Sequence, residues 1–190
     1  MSHLFAFSNC LEEIRFLKCE RNNIDNLYCS FYGCRSLITL DISKLKTENV
    51  KSMRQMFSCC SSLKELNLSN FNTQNVKTMK GMFEGCSSLT NLNIDNFDTT
   101  KVTNMNDMFA GCSSLTSLNL NHFNTNNLVK MNFMFSRCKS LINLNIENFK
   151  LDKVNRMMYM FNKCKNELRE LLKKQNNSFK EEAFWESVFW

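Results

Sequence analysis

The sequence predicts an α/β solenoid in which one strand–helix unit of 26 residues is copied about six times. Six cysteines recur at that spacing, at Cys34, Cys60, Cys86, Cys112, Cys138 and Cys164. Nearly every apolar residue falls into register when the repeats are aligned on these cysteines, and no insertion disturbs the period between Leu37 and Cys164. A stacked solenoid of this kind offers a long surface for partners and usually has no enclosed catalytic pocket.

The first half of each repeat has the alternation of a β-strand. In the clearest copy the apolar Leu66 and Leu68 flank the polar Asn67. We expect the strands of successive coils to stack in parallel, about 4.8 Å apart.

The second half of each repeat predicts a helix of roughly three turns. Its apolar residues lie at offsets 0, 3, 6, 7 and 10, as in Val76, Met79, Met82, Phe83 and Cys86. At roughly 100° per residue these offsets occupy an arc of about 120° on a helix. Thr73 precedes the segment and is expected to act as its N-cap, as are its equivalents Thr47, Thr99 and Thr125 in their own repeats. Because helices pack about 8–10 Å apart, the stack should curve with its strands on the concave side.

The two ends of the chain are predicted to cap a solenoid of residues 1–164. Residues 1–10 form a partial N-terminal cap in this interpretation, because Phe5 lies one repeat length before Phe31. Residues 165–190 break the period and predict a helical C-terminal cap. It would comprise an amphipathic helix over 167–174 and a second helix from 179 to about 188, opened by a capping box of Ser178 and Glu181. The apolar face of the second helix would contain Phe184, Trp185, Phe189 and Trp190, and its alternative role is an interaction or oligomer contact.

The ten cysteines are interpreted as structural thiols, without a metal site or a cofactor. The six regular ones share a buried-looking position, and at helix spacing their Cα atoms would be too far apart for disulfides. A metal site is disfavoured because no second ligand shares the period and the only histidines are His3 and His122. The less regular cysteines could include exposed, oxidisable thiols, namely Cys10, Cys19, Cys29 and Cys59.

Composition excludes several classes of function. The net charge of +6 is modest and its basic residues are interleaved with acidic ones, unlike the clustered charge of a nucleic-acid binder. No apolar run is long enough for a membrane span, and the N-terminus lacks the features of a signal peptide. No nucleophile–base arrangement or glycine-rich phosphate loop is present, so we expect no enzyme and no catalytic residues.

The repeat string resembles that of the BspA-like surface proteins, a leucine-rich-repeat family of mycoplasmas, other host-associated bacteria and some parasitic protists. The resemblance covers roughly residues 11–164 and is most specific in the segment Met-x-x-Met-Phe-x-x-Cys-Ser-Ser. It implies a right-handed leucine-rich-repeat-like solenoid that serves in adhesion or ligand binding at a cell surface, without catalysis.

This chain departs from the usual leucine-rich-repeat consensus in its turn after the strand. Phenylalanine replaces the usual turn asparagine, at Phe71, Phe97, Phe123 and Phe149. The backbone amides of the turn therefore need other partners, and the candidates are the threonines together with Asn70, Asn96 and Asn148.

The exposed side of the strands is the candidate partner-binding surface. The position between the buried strand residues is occupied by Asp41, Asn67, Asn93, Asn119 and Asn145, with Lys64, Glu65, Asn91 and Asn143 beside it. One interpretation is an amide ladder, in which stacked asparagines bond to each other and bind no ligand. The other is an amide-rich face for a protein or glycan partner.

Two functions follow from that surface. The first is an adhesion or host-interaction module, located at the cell surface or outside the cell as the family resemblance implies. The second is an intracellular protein–protein scaffold in the cytoplasm. The missing signal peptide agrees with this second function and equally with a fragment of a longer secreted protein. The pattern predicts no particular oligomeric state.

Overall fold

The computed structural model, which describes residues 1–19, 23–175 and 178–186, is a stack of coils. A row of parallel β-bridges joins one position of each repeat to the same position of the next along the stack. These positions are Asn26, Ser52, Thr78, Asn104, Lys130 and Arg156. The sequence repeat therefore corresponds to one coil of the solenoid, as predicted. The right-handed sense of coiling stays a prediction.

Four short strands lie at the predicted strand positions. Strand β1 (Glu13–Arg15) pairs in parallel with β2 (Thr39–Asp41), and β3 (Ser117–Asn119) pairs in parallel with β4 (Asn143–Asn145). The central residue of each strand is buried and its first residue is exposed, which confirms the predicted alternation. The two equivalent segments between these pairs, 65–67 and 91–93, make no backbone hydrogen bonds within the described residues.

The helices predicted for the second half of each repeat are wrong, because those residues form consecutive turns. A positive φ angle recurs at every fourth position, as at Gln55 (52°) and Cys59 (61°) in one coil and at Gly81 (61°) and Gly85 (70°) in the next. An α-helix needs a negative φ at every residue. All four glycines of the chain lie at these positive-φ positions, where a side chain is disfavoured.

The backbone of the turns is satisfied by the neighbouring coil. The N–H of Phe57 donates to the carbonyl of Met82 at 2.9 Å, and the N–H of Cys59 donates to that of Glu84 at 2.6 Å. The intervening amides close turns within the coil, as from Cys60 to the Phe57 carbonyl at 3.1 Å. Every other donor thus reaches a partner in the following coil, and the i to i−4 bonds of a helix are not needed.

The predicted core is confirmed, although it is assembled from turns. The side chains of Val76, Met79, Met82, Phe83 and Cys86 are all 0% exposed, and so are most of their equivalents. Phenylalanine rings of successive coils stack with centroids 5.6–5.7 Å apart. This spacing is close to that of strands and far below that of helices, so the predicted cause of curvature is absent. We call the two long surfaces the strand side (residues 64–70 and their equivalents) and the turn side (residues 78–86 and their equivalents).

At each end of the stack one further phenylalanine ring extends the column of stacked rings that runs from Phe31 to Phe161. At the N-terminal end the ring of Phe5 stacks on that of Phe31 at 5.7 Å, and the N–H of Phe5 donates to the Ser30 carbonyl at 2.7 Å. At the other end the ring of Phe184 stacks on that of Phe161 at 5.2 Å.

The C-terminal segment contains two helices. Helix α1 (Asn166–Gln175) buries Leu168 and Leu172 against the core. A short 3-10 helix (Glu181–Phe184) begins after Lys180, so the capping box predicted at Ser178 is wrong. The remainder of the predicted second helix, including Phe189 and Trp190, lies outside the described residues.

Candidate functional site

An open groove of about 880 Å³ crosses the strand side of the first four coils. Six of the nine residues predicted as partner-binding line it, namely Asp41, Lys64, Glu65, Asn67, Asn91 and Asn93. The other three, Asn119, Asn143 and Asn145, lie on β3 and β4 and are not part of the lining. Residues that the strand prediction did not single out complete the groove, among them Glu13, Arg15, Ile38, Asp95 and Asn96.

The groove lies where the strand ladder is interrupted. Strands β1 and β2 are paired at one end of it, whereas the next two coils contribute the unpaired segments 65–67 and 91–93. Leu40 and Leu66 take part in the lining although they are only 7% and 6% exposed. The groove therefore has an apolar floor, formed by the core leucines, and polar walls.

The asparagines between the buried strand positions are held within their own coils. The Oδ1 of Asn67 accepts the N–H of Ser69 at 3.0 Å, and the Oδ1 of Asn93 accepts the N–H of Asp95 at 3.0 Å. These local Asx turns are what asparagine favours after a strand. In the part of the chain that the structure describes, the predicted ladder of bonds among Asn67, Asn93, Asn119 and Asn145 is not formed. The side-chain NH₂ groups of Asn67 and Asn93 have no protein partner there.

Charge in the groove is uneven. Asp41 accepts the N–H of Ser43 at 3.0 Å, and this bond holds the pKa of its carboxyl below the ordinary value. Arg15 forms an ion pair with Glu13 at 3.0 Å, with both side chains more than half exposed. In the lining formed by described residues, four carboxylates face two cations: Glu13, Asp41, Glu65 and Asp95 against Arg15 and Lys64.

The turn asparagines brace successive coils at the edge of the groove. Asn96 donates from Nδ2 to the carbonyls of Phe71 at 2.7 Å and Leu68 at 3.0 Å, and Asn70 makes the equivalent bonds one coil earlier. The sequence predicted that such asparagines bond to the turn backbone, but it predicted bonds to amides rather than to carbonyls of the preceding coil. His122 occupies the equivalent position and places Nε2 3.0 Å from the Ile94 carbonyl.

The regular cysteines serve the core and not the groove. The Sγ of Cys86 donates to the Phe57 carbonyl of the preceding coil at 3.1 Å, and Cys60, Cys112, Cys138 and Cys164 each make the equivalent bond to the preceding coil. Burial raises the pKa of Cys86 to about 12, so its thiol stays protonated at neutral pH. All ten cysteines are free thiols in the structure, and Cys10 is exposed. The regular cysteine spacing is the one sequence signal for this bond.

A metal centre and a membrane-spanning helix are two other features that would point to a function. Among residues 1–19, 23–175 and 178–186, no group of histidine, cysteine, aspartate or glutamate side chains is arranged to hold a metal ion. The described helices are also too short or too polar to cross a membrane.

A model for the family described as "Mycoplasma protein of unknown function, DUF285" matches residues 1–92 and 64–174. This chain belongs to that family. The mycoplasma-type repeat identified in the sequence, and with it the resemblance to BspA-like leucine-rich-repeat proteins, is thereby confirmed. No curated protein matches the chain at a significant level.

Among solved structures, this family member is similar to three bacterial leucine-rich-repeat proteins. A leucine-rich repeat protein from Bacteroides ovatus is 19% identical with a TM-score of 0.46, over 86% of this chain and 44% of that one. A leucine-rich repeat protein from T. pallidum is 20% identical with a TM-score of 0.43, over 79% of this chain and 74% of that one. A leucine-rich cell surface protein from Faecalibacterium prausnitzii is 20% identical with a TM-score of 0.34, over 71% of this chain and 32% of that one. The chain thus spans less than half the length of the Bacteroides ovatus protein.

Proposed function

We propose that this chain is a non-enzymatic repeat module that binds a protein or glycan partner through its strand side, in adhesion or host interaction at a cell surface. The observation that carries the proposal is the groove of about 880 Å³, which is lined by six of the predicted partner-binding residues. Polar walls over an apolar floor match the composition of partner-binding sites, in which a few polar groups fix the orientation of a largely desolvated ligand.

Recognition in this proposal is shared among several coils. The lining residues come from four successive coils, and none of the described lining residues is an aromatic that could act as a single anchor. We therefore expect single substitutions in the lining to weaken binding only slightly, whereas blocking the groove should abolish it.

A steric block of the groove tests the proposal. Thr39→Tyr with Asn91→Tyr places two bulky neutral side chains at exposed lining positions. Ser117→Tyr with Asn143→Tyr is the matched control, because these residues occupy the same repeat position outside the lining. Tyrosine suits exposed strand positions, so both variants should fold. Binding of the purified chain to host cells, measured by flow cytometry, should be lost in the first variant and kept in the second. Equal binding by both variants would exclude the groove.

The location of the module is tested separately. Cys10 is an exposed thiol, so a membrane-impermeant thiol reagent should label it on intact cells if the module is displayed at the surface. The Cys10→Ser variant should lose this labelling. Labelling of Cys10 only after lysis would favour the alternative function, an intracellular scaffold.

A further inference from the structure

We propose that the groove takes an extended segment of a protein partner that carries lysine or arginine side chains. This inference rests on the proposed function and names the class of partner for the same site.

The charge of the groove is opposite to that of the whole chain. Among the residues that the structure describes, four carboxylates and two cations line it, although the chain has a net charge of +6. One of the two cations, Arg15, is already paired with Glu13 at 3.0 Å. Asp41, Glu65 and Asp95 then outnumber Lys64 as the charges that a ligand meets. Complementarity therefore favours a cationic ligand, and it disfavours nucleic acid and anionic lipid, whose phosphates these carboxylates would repel.

The placement of the carboxylates indicates a ligand that is long and narrow. Asp41, Glu65 and Asp95 come from three successive coils, so a ligand that reaches all of them must cross the coils. Coils that stack about 4.8 Å apart place the outer two about 10 Å from each other along the stack. An extended chain advances about 3.3–3.6 Å per residue, so about three to four residues span that distance.

The remaining polar groups of the groove suit a peptide backbone. The side-chain NH₂ groups of Asn67 and Asn93 have no partner among the described residues and can donate to peptide carbonyls. The backbone of segments 65–67 and 91–93 is likewise unpaired within the described residues. A peptide presents both donors and acceptors to such groups. The ion pairs are exposed, so we expect binding to weaken as salt is added.

A peptide-binding experiment tests the class of ligand. The probes are fluorescein-labelled, unstructured peptides of about 12 residues that alternate serine with lysine, glutamine or glutamate, a length that exceeds the span of the groove. The groove variant is Asp41→Asn with Glu65→Gln and Asp95→Asn; Asp41→Asn is isosteric and keeps the oxygen that accepts from Ser43.

The matched control variant removes the same charge elsewhere. Asp152→Asn with Glu167→Gln and Glu181→Gln neutralises three exposed carboxylates outside the groove. Fluorescence anisotropy should show binding of the lysine peptide alone, about tenfold weaker in the groove variant and unchanged in the control. Equal weakening in both variants, or equal binding of the glutamine peptide, would overturn the inference.

Host-cell binding separates failure of this inference from failure of the proposed function. Loss of binding in both the tyrosine-blocked variant and the charge-neutralised variant supports both proposals. Loss of host-cell binding in the tyrosine-blocked variant alone supports the proposed function and overturns the inference that the partner is cationic. Full binding by both variants overturns the groove itself. Periodate oxidises the glycans of the host cells. Loss of wild-type binding after this treatment would indicate that the groove binds a glycan and would overturn the inference of a peptide partner.

Discussion

The strand side and the turn side of this solenoid are built from the same repeat but are held together differently. On the turn side an unbroken row of backbone bridges joins the coils from Asn26 to Arg156. On the strand side, within the described residues, ladders form only between β1 and β2 and between β3 and β4, and the coils between them share a single backbone bond, from the Thr90 N–H to the Lys64 carbonyl at 3.3 Å. The turn side therefore provides the cohesion of the stack, which leaves the strand side free to form a groove.

Buried side chains add to the cohesion near the turns. The Oγ1 of Thr47 donates to the Asn72 carbonyl at 3.1 Å and accepts the Asn72 N–H at 2.7 Å, so one hydroxyl bridges two coils. Thr73, Thr99 and Thr125 also donate to the following coil. These threonines were predicted as helix N-caps, and that prediction is wrong because no helix follows them. On the strand side Asn67 and Asn93 bond within their own coils instead, whereas Asn70 and Asn96 bond to the preceding coil.

The largest expected contrast between the two sides comes from adding a charge to each. Met82→Asp places an unpaired carboxylate at a side chain that is 0% exposed, and should cost about 4 kcal/mol or more of the free energy of unfolding. Asn67→Asp on the strand side is exposed and should cost less than about 0.5 kcal/mol, since Asp41 already occupies the equivalent position. Urea denaturation measures the free energy of unfolding of both variants. Similar midpoints for the two variants would contradict the division of roles.

A smaller contrast comes from removing one hydroxyl on each side. Thr47→Val removes both bonds to Asn72 from a side chain that is 1% exposed, and should cost about 1–3 kcal/mol. Thr90→Val is the strand-side counterpart, because the hydroxyl of Thr90 is exposed and lies 3.5 Å from the Lys64 carbonyl. It should change the free energy of unfolding by less than about 0.5 kcal/mol. An equal loss in both variants would show that the threonine bridges contribute no special cohesion.

The thiol bonds should make a modest contribution. Cys112→Ala removes a buried sulfur and its bond to the Phe83 carbonyl at 3.1 Å, and should cost about 1–2 kcal/mol. The cost stays modest because that carbonyl keeps a second donor, the Cys86 N–H at 3.1 Å. The control, Cys10→Ala at an exposed position, should leave the thermal midpoint unchanged. A Cys112→Ala variant as stable as wild type would show that the thiol bond to the Phe83 carbonyl does not contribute to stability.

The smallest expected difference is a pH dependence of opposite sign on the two sides. Burial raises the pKa of Asp107 on the turn side, and Lys80 at 3.9 Å only partly opposes it. Its contribution to stability is therefore present at low pH and is lost as pH rises from the ordinary carboxyl pKa of about 4 through the raised value. The pKa of Asp41 on the strand side is lowered, so its contribution is present above about 4 and is lost as pH falls through the lowered value.

Two asparagine variants separate these contributions. Relative to wild type, Asp107→Asn should become more stable as pH rises, and Asp41→Asn should become less stable over its own range. Urea midpoints between about pH 3 and 8 follow both changes. Parallel pH profiles for the two variants would contradict the opposite signs.

The pattern of apolar residues was sufficient to predict the coils, the strands and the core. Leu66, Met82 and Cys86 are buried as their register predicted, because a repeat that stacks on its copies must bury the same positions in every coil. The predicted helix failed because offsets of 0, 3, 6, 7 and 10 fit tandem turns as well as they fit a helix. Gly81 and Gly85 already argued against a helix in the sequence, since glycine is unfavourable in a helix interior.

The sequence by itself therefore determined which residues face inward and where each coil begins and ends. Tertiary structure decided where the backbone hydrogen bonds go, because their partners lie in the next coil, about one full repeat away in the chain, and no local pattern records them. It also decided the site. The candidate residues recur evenly along the repeats, but only the interruption of strand pairing gathers Asp41, Asn67 and Asn93 into one groove and leaves Asn119 and Asn145 outside its lining.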